Sequence, residues 1–267
     1  DIRSATNLPF ALNFLLFATD EETFGAAIET RPAVLSYAWP KGDQDIQPYV
    51  RRAHDAGARV TYMAGSVAEA RRGADAGADI IVAQGSEAGG HTGTIGTMVL
   101  VPEIVQIAGD LPVLAAGGIG HGSQIAAALA MGAQGVWLGT TWLSTEEHAR
   151  GDHAIGDKLR DKLFTAGSGD TGITHGSSGK PQRQIRSAWT EEWAAPTAPR
   201  PLPMPYQHAL VGDLLTSIDE HEVDPMLHTP AGQGVTWSRA KQSVAQVIES
   251  LSEQTLEGLQ RAGKLGR

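Results

Sequence analysis

Cysteine is absent from the 267 residues, which excludes disulfides, thiolate metal sites and a cysteine nucleophile and fits a reducing, cytoplasmic setting. Basic residues are scarce: 21 Lys and Arg stand against 30 Asp and Glu, a formal net charge of −9. The deficit is spread along the chain, so no basic stripe exists to neutralise a phosphate backbone, and nucleic acid is not an expected partner. Nor is a membrane, because no apolar run is long and unbroken enough to span one. Residues 8–18 contain Pro9 and Asn13, and the uncharged stretch 111–145 is interrupted by seven glycines and by His121, Gln124 and Gln134. With only Arg3 ahead of it, the first of these makes a poor secretory signal. The chain opens at Asp1 rather than Met, so a start further upstream is expected. No His, Asp and Glu set has metal-ligand spacing, so metal is not expected, and the HExxH, EF-hand and GxSxG patterns are missing.

What the chain has in excess is glycine: 32 residues, about 12% against a usual ~7%. Tight turns and close backbone approaches follow. From residue 8 to 140, short β-rich apolar runs alternate with helical patterns, the mark of βαβ units around a parallel sheet. Six strands are expected at 8–17, 32–39, 58–65, 78–85, 111–119 and 133–140. Helices are expected at 47–56, 67–76, 102–108 and 123–131, where apolar residues recur every three or four. Ala56-Gly57-Ala58, Ala76-Gly77-Ala78 and Met131-Gly132-Ala133 each close a helix and open a strand, with glycine supplying the left-handed residue. After Thr140 the rhythm stops. Residues 165–182 are Gly-, Ser- and Thr-rich and 194–205 are proline-rich, with helical patterns returning at 206–220 and 238–262. The expected division is a barrel portion, 1–150, and a mostly helical, loop-rich cap, 151–267.

In parallel α/β folds the active site lies beyond the C-terminal ends of the strands. The fifth strand ends in Ala115-Ala116-Gly117-Gly118-Ile119 and runs into a helix, so its glycines expose backbone N–H groups at the helix's positive end. That is a phosphate cradle. Leu138-Gly139-Thr140 at the next strand end adds an N–H and a hydroxyl. The fourth strand ends in Gln84-Gly85-Ser86-Glu87-Ala88-Gly89-Gly90-His91-Thr92-Gly93. There His91 stands beside a glycine pair that lets the backbone run close to a flat ligand, and an imidazole suits proton transfer near neutral pH. Glu87 is expected to face solvent. The other eight histidines need no special role: His121 begins the helix after the phosphate loop, with contact to an anion the minor reading, and His54, His148, His153, His175, His208, His221 and His228 are expected to be solvated.

These segments together resemble the FMN-dependent nitronate monooxygenases, formerly 2-nitropropane dioxygenases, and more distantly the FMN-dependent enoyl-ACP reductases. The resemblance is carried by Val82-Ala83-Gln84-Gly85-Ser86-Glu87-Ala88-Gly89-Gly90-His91, Ala115-Ala116-Gly117-Gly118-Ile119 and Gly135-Val136-Trp137-Leu138-Gly139-Thr140. Weaker echoes run through Pro9-Phe10-Ala11-Leu12-Asn13-Phe14 and Ala231-Gly232-Gln233-Gly234-Val235. The resemblance implies a TIM (β/α)8-type barrel lacking its first two strands, with an open edge completed by the rest of a longer chain or by a partner subunit. It implies FMN, its phosphate on Gly117, Gly118, Gly139 and Thr140 beside Trp137 and Leu138, with Gln84, Gly89 and Asn13 reaching the flavin or ribityl chain. His91 would be the catalytic residue and, with Gln233, would bind substrate. The implied reaction takes a nitronate and O2 to a carbonyl compound and nitrite. Two alternatives stay open: an enoyl-ACP reductase consuming NAD(P)H, and an inactive or fragmentary flavin-binding barrel. A homo-oligomer is also left open. Thr92 and Gly120-His121 depart from residues common in the family, near the substrate and the phosphate respectively.

Overall fold

The structure, a computed structural model, describes residues 2–150, 153–154 and 157–265. Six parallel strands form one sheet in the order β1 (Ala11–Leu15), β2 (Val34–Ala38), β3 (Arg59–Ala64), β4 (Ile80–Gln84), β6 (Val113–Ala116) and β7 (Gly135–Trp137). Each lies within a run expected from the sequence. A two-residue strand, β5 (Gly90–His91), interrupts this order after β4. The helices connecting the sheet are α2 (Glu21–Glu29), α3 (Gln47–Asp55), α4 (Val67–Asp75), α5 (Thr97–Ala108) and α6 (Gly122–Ala130), after a short α1 (Ile2–Ala5). Gly57, Gly77 and Gly132 close α3, α4 and α6 at φ of 82°, 94° and 96°, the left-handed turn that the repeated Gly motif implied.

The central strands β2, β3 and β4 are buried on both faces, and the two faces differ in chemistry. The helix-facing side is aromatic and aliphatic: Phe14 meets Phe24 edge-on at 5.5 Å, Phe24 meets Tyr49 at 5.0 Å, and the Tyr37 hydroxyl donates to the Tyr49 carbonyl at 3.0 Å. On the alternate residues, the register aligns Asn13 with Ser36 and Ser36 with Thr61. Ser36, Thr61 and Gln84 are all buried, and Ser36 Oγ, Thr61 Oγ1 and Gln84 Oε1 have no hydrogen-bond partner among the described residues. The inner face thus carries buried polar atoms among its apolar residues.

α5 begins at Thr97, five residues before the expected 102, and carries Pro102 inside it. The cause lies outside the helix: the Glu87 carboxylate accepts from the Thr97 N–H at 3.0 and 2.9 Å and from its hydroxyl at 2.9 Å, satisfying the first turn's free donors. Glu87 therefore caps a helix instead of facing solvent.

The remainder comprises a short antiparallel pair, β8 (Ala149–Arg150) and β9 (His153–Ala154), then α7 (Asp157–Thr165), β10 (Thr171–Thr174), β11 (Gln182–Ile185), α8 (Ala188–Ala194), α9 (Tyr206–Glu220) and α10 (Val244–Leu265). The expected division at 150/151 falls beside residues outside the described set, as does the His153 side chain. The cap holds more than helices. β10, β11 and β5 form an antiparallel sheet in which Gln182 opposes His91 and Arg183 opposes Gly90. α10 returns to the barrel through two glycines. Gly122 donates its N–H to Gln254 Oε1 at 2.9 Å, and a Cβ on Gly258 would stand 2.9 Å from that of Ala126.

Candidate functional site

Beyond the C-terminal ends of β4, β6 and β7 lies a cavity of about 330 Å³, within the range of cofactor sites. Gln84, Gly89, Gly117, Gly118, Trp137, Gly139 and Thr140 all line it. Gln84 is 7% exposed, and its unpartnered Oε1 is a buried acceptor awaiting a donor. Gly117 and Gly118 take φ of 108° and 69°, values that side chains resist. Space forbids a side chain as well: a Cβ on Gly118 would stand 2.8 Å from Glu87 Cβ. Gln124 Oε1 accepts from the N–H groups of Gly120 and His121 at 2.9 and 3.1 Å, and its amide donates to the Gly118 carbonyl at 2.9 Å. Those bonds hold the loop while the N–H groups of Gly118 and Ile119 have no partner among the described residues. Thr140 Oγ1 accepts from the Gly232 N–H at 2.9 Å, so its own proton is available to donate.

Three expected residues stand elsewhere. Asn13 is exposed on β1 and does not line the cavity, which reaches along the sheet as far as Met63 on β3. Leu138 packs against the main core and offers its carbonyl to Trp142 Nε1 at 2.8 Å. Gln233 lines a second cavity, of about 390 Å³, on the far side of residues 117–119. His121 serves as the cap of α6, its Nδ1 accepting from the Ser123 N–H at 3.1 Å, and lies 4.5 Å from the Trp237 ring.

His91 follows Gly89 and Gly90, which line the first cavity. Its Nε2 lies 2.7 Å from Ser178 Oγ, and the rings of Phe17 and Trp39 each stand edge-on at 6.3 Å. Burial pushes its pKa down to about 4, helped by the nearby positive charge of Lys180 and by His228 and His208. His91 is thus neutral across the physiological range, in the form that accepts a proton. His228 is half-buried rather than solvated, its Nε2 3.4 Å from Gln182 Oε1. The sequence reading missed Phe17, Trp39, Ser178 and Lys180. Trp39-Pro40 at a strand end and the Ser177-Ser178-Gly179-Lys180 turn were available signals, but nothing local joins them.

The depressed pKa has a measurable consequence. Between pH ~6.5 and ~4 the unfolded chain protonates its His91 and the folded one does not. Stability is therefore full above ~6.5 and falls with pH, by about 3 kcal/mol from this group once pH drops below 4. An NMR titration should place the His91 midpoint near 4, and His91→Gln should flatten this part of the stability profile; a midpoint near 6.5 would mean that the ring is solvated.

The profile of the nitronate monooxygenase family matches residues 1–254. The chain belongs to the nitronate monooxygenase family. It is 32% identical over 252 residues to a Staphylococcus aureus (strain MSSA476) protein named as a nitronate monooxygenase, covering 88% of this chain and 68% of that one. It is 51% identical over 176 residues to a Mycobacterium tuberculosis protein named as a monooxygenase, covering 66% of this chain and 46% of that one. The chain thus spans about half to two thirds of these relatives' length. FabK from Thermotoga maritima superposes with a TM-score of 0.82 at 27% identity, over 99% of this chain and 81% of that one. A nitroalkane oxidase from Streptomyces ansochromogenes gives 0.82 at 24%, over 98% and 84%, and shares the fold. The family members are oxidoreductases, and the architecture is a TIM-barrel type with a capping segment. Among the described residues no helix is long and apolar enough to cross a membrane.

Proposed function

We propose that this nitronate monooxygenase family member binds FMN in the 330 Å³ cavity and oxidises alkyl nitronates with O2 to a carbonyl compound and nitrite. The observation that supports it best is the convergence of Gln84, Gly89, Gly117, Gly118, Trp137, Gly139 and Thr140 on one cavity, with His91 directly following the lining residues Gly89 and Gly90 in the chain. The residues fit the cofactor. Gly117 and Gly118 hold a loop along the cavity in which any Cβ would collide with Gly85, Thr97 or Glu87, the free N–H groups of Gly118 and Ile119 precede α6 as a phosphate requires, and Gln84 brings an unpartnered buried acceptor.

Bound FMN supplies electron transfer from substrate to O2. The chain's own part is to position the substrate and manage a proton. Ser178 Oγ occupies His91 Nε2, which leaves Nδ1 to take the proton from the carbon α to a nitro group. Phe17 and Trp39 restrict the ring and exclude water around it.

The test is the visible spectrum of the purified chain after FMN addition and desalting, followed by nitrite release from propyl-2-nitronate with and without NAD(P)H. The expected result is retained flavin and nitrite formation that needs no NAD(P)H. A flavin-retaining protein that consumes NAD(P)H and releases no nitrite would favour the enoyl reductase reading. A colourless protein would overturn the cofactor assignment.

A further inference from the structure

We propose that Lys180 is the anion-binding residue of the His91 site, a cation fixed beside the base to hold the charged oxygens of the substrate. This deepens the reading above and rests on it only for the identity of the anion.

One turn sets both groups. Ser178, at the His91 Nε2 atom, also accepts from the backbone N–H of Lys180 at 3.3 Å. From this turn between β10 and β11 the Lys180 side chain reaches across to the barrel, where its Nζ lies 3.7 Å from the centroid of the Trp39 ring. The Trp39 ring in turn stands against His91. Trp39 is a firm platform: it is 6% exposed, sits at the end of β2 and is held at φ 53°, a conformation that a bulky residue keeps only when its surroundings impose it.

Lys180 has no carboxylate within ion-pairing distance among the described residues. The carboxylate that bears on its charge is Glu69, whose Oε2 is engaged by the Gly65 N–H at 2.7 Å. An indole face attracts an ammonium but accepts few of its three N–H bonds. A half-buried ammonium in this state lacks a counterion, and a bound oxyanion would provide both the charge and the acceptors. With His91 neutral, no second cation in the ring cluster serves that purpose.

The chemistry follows from the pairing. When the α C–H bond of a nitroalkane breaks, the proton goes to His91 Nδ1 and the electron pair moves onto the nitro oxygens, forming the nitronate. Lys180 stabilises that charge as it develops and holds a nitronate that arrives already formed. Planar oxyanions are therefore the ligand class held most tightly, and a neutral nitroalkane gains the full Lys180 contact only as its charge develops.

The experiment uses the FMN-loaded protein and its Lys180→Gln, Lys180→Met and Lys180→Arg variants. Nitrate, a planar oxyanion that does not react, is the binding probe, read by flavin absorbance and Trp fluorescence, with KM for propyl-2-nitronate measured alongside. Expected are a ~10- to 100-fold weaker nitrate Kd and a matching rise in KM for the Gln and Met variants. Restoration in Lys180→Arg and an unchanged flavin spectrum throughout are also expected. Wild-type protein that does not bind nitrate, or Gln and Met variants that bind it equally well, would overturn the proposal. If nitronates are not turned over but nitrate binding still depends on Lys180, the anion site stands and only the nitronate reading fails. If the Met variant does not fold, the Gln variant, which keeps a polar side chain, carries the same comparison.

Discussion

Alanine at position 91 should lower nitrite release from nitroalkanes by ~10²- to 10⁴-fold, the usual contribution of a positioned general base, while FMN stays bound. The separation is expected because His91 meets β11 through its backbone, in register with Gln182, so removing the imidazole leaves that pairing in place. The cofactor cavity is lined by Gly89 and Gly90 and not by the imidazole. The loss should depend on the form of the substrate. A neutral nitroalkane needs its α C–H bond broken and should show the full effect; a preformed nitronate has already lost that proton and should show less. Steady-state rates with both forms, on protein whose flavin spectrum matches the parent's, measure this. Equal turnover by variant and parent on the neutral substrate would remove His91 as the base. His91→Gln can still hydrogen-bond to Ser178 but cannot act as a base near neutral pH, and it should be as slow as the alanine variant.

The second large effect is on the cofactor. Gly139→Val is expected to abolish FMN retention at a modest cost in stability. Gly139 has φ −123° and ψ −66°, between the helical and extended regions, and no atom lies within 4 Å of where its Cβ would be. A valine there meets no steric block and should cost the fold only the ~1 kcal/mol of an uncommon backbone conformation, while its methyl groups crowd the wall of the cavity. Gly118→Ala provides the contrast. Its φ of 69° and the 2.8 Å approach to Glu87 Cβ should lower stability and flavin binding together. Flavin retained on desalting and a thermal melt distinguish the two. A yellow Gly139→Val protein would place the phosphate elsewhere.

The barrel portion was legible because its signals are local. Strands buried on two faces read as continuous apolar runs, and glycine after a helix reports a backbone conformation rather than a contact. The glycine loops of the cradle were legible for the same reason. The surroundings of His91 were not: Ser178 stands 87 residues along the chain, and the strand that carries the pairing, Gln182–Ile185, is polar in three of its four residues. Such a segment has no apolar alternation to announce it, and the stretch before it was read as loop. Glu87 was misread because it caps a helix beginning ten residues later. A helix whose cap comes from another loop shows no cap of its own, which is also why Pro102 looked like its start.

The sheet that joins β5 to β10 and β11 divides the labour of the site between two pieces of chain. If the cavity holds FMN and His91 is the base, the cofactor wall is built chiefly by the strand ends of the barrel, and the groups around the base come partly from the turn at 176–180. On the reading proposed here, colour and chemistry can be lost separately: loosening of β10 and β11 would leave a yellow protein without a working base. The same division makes the turn at 176–180 an exchangeable part. Changes there alter which molecule is held against the flavin while the grip on the flavin itself is untouched, so substrate preference can drift within this architecture without the cofactor being put at risk.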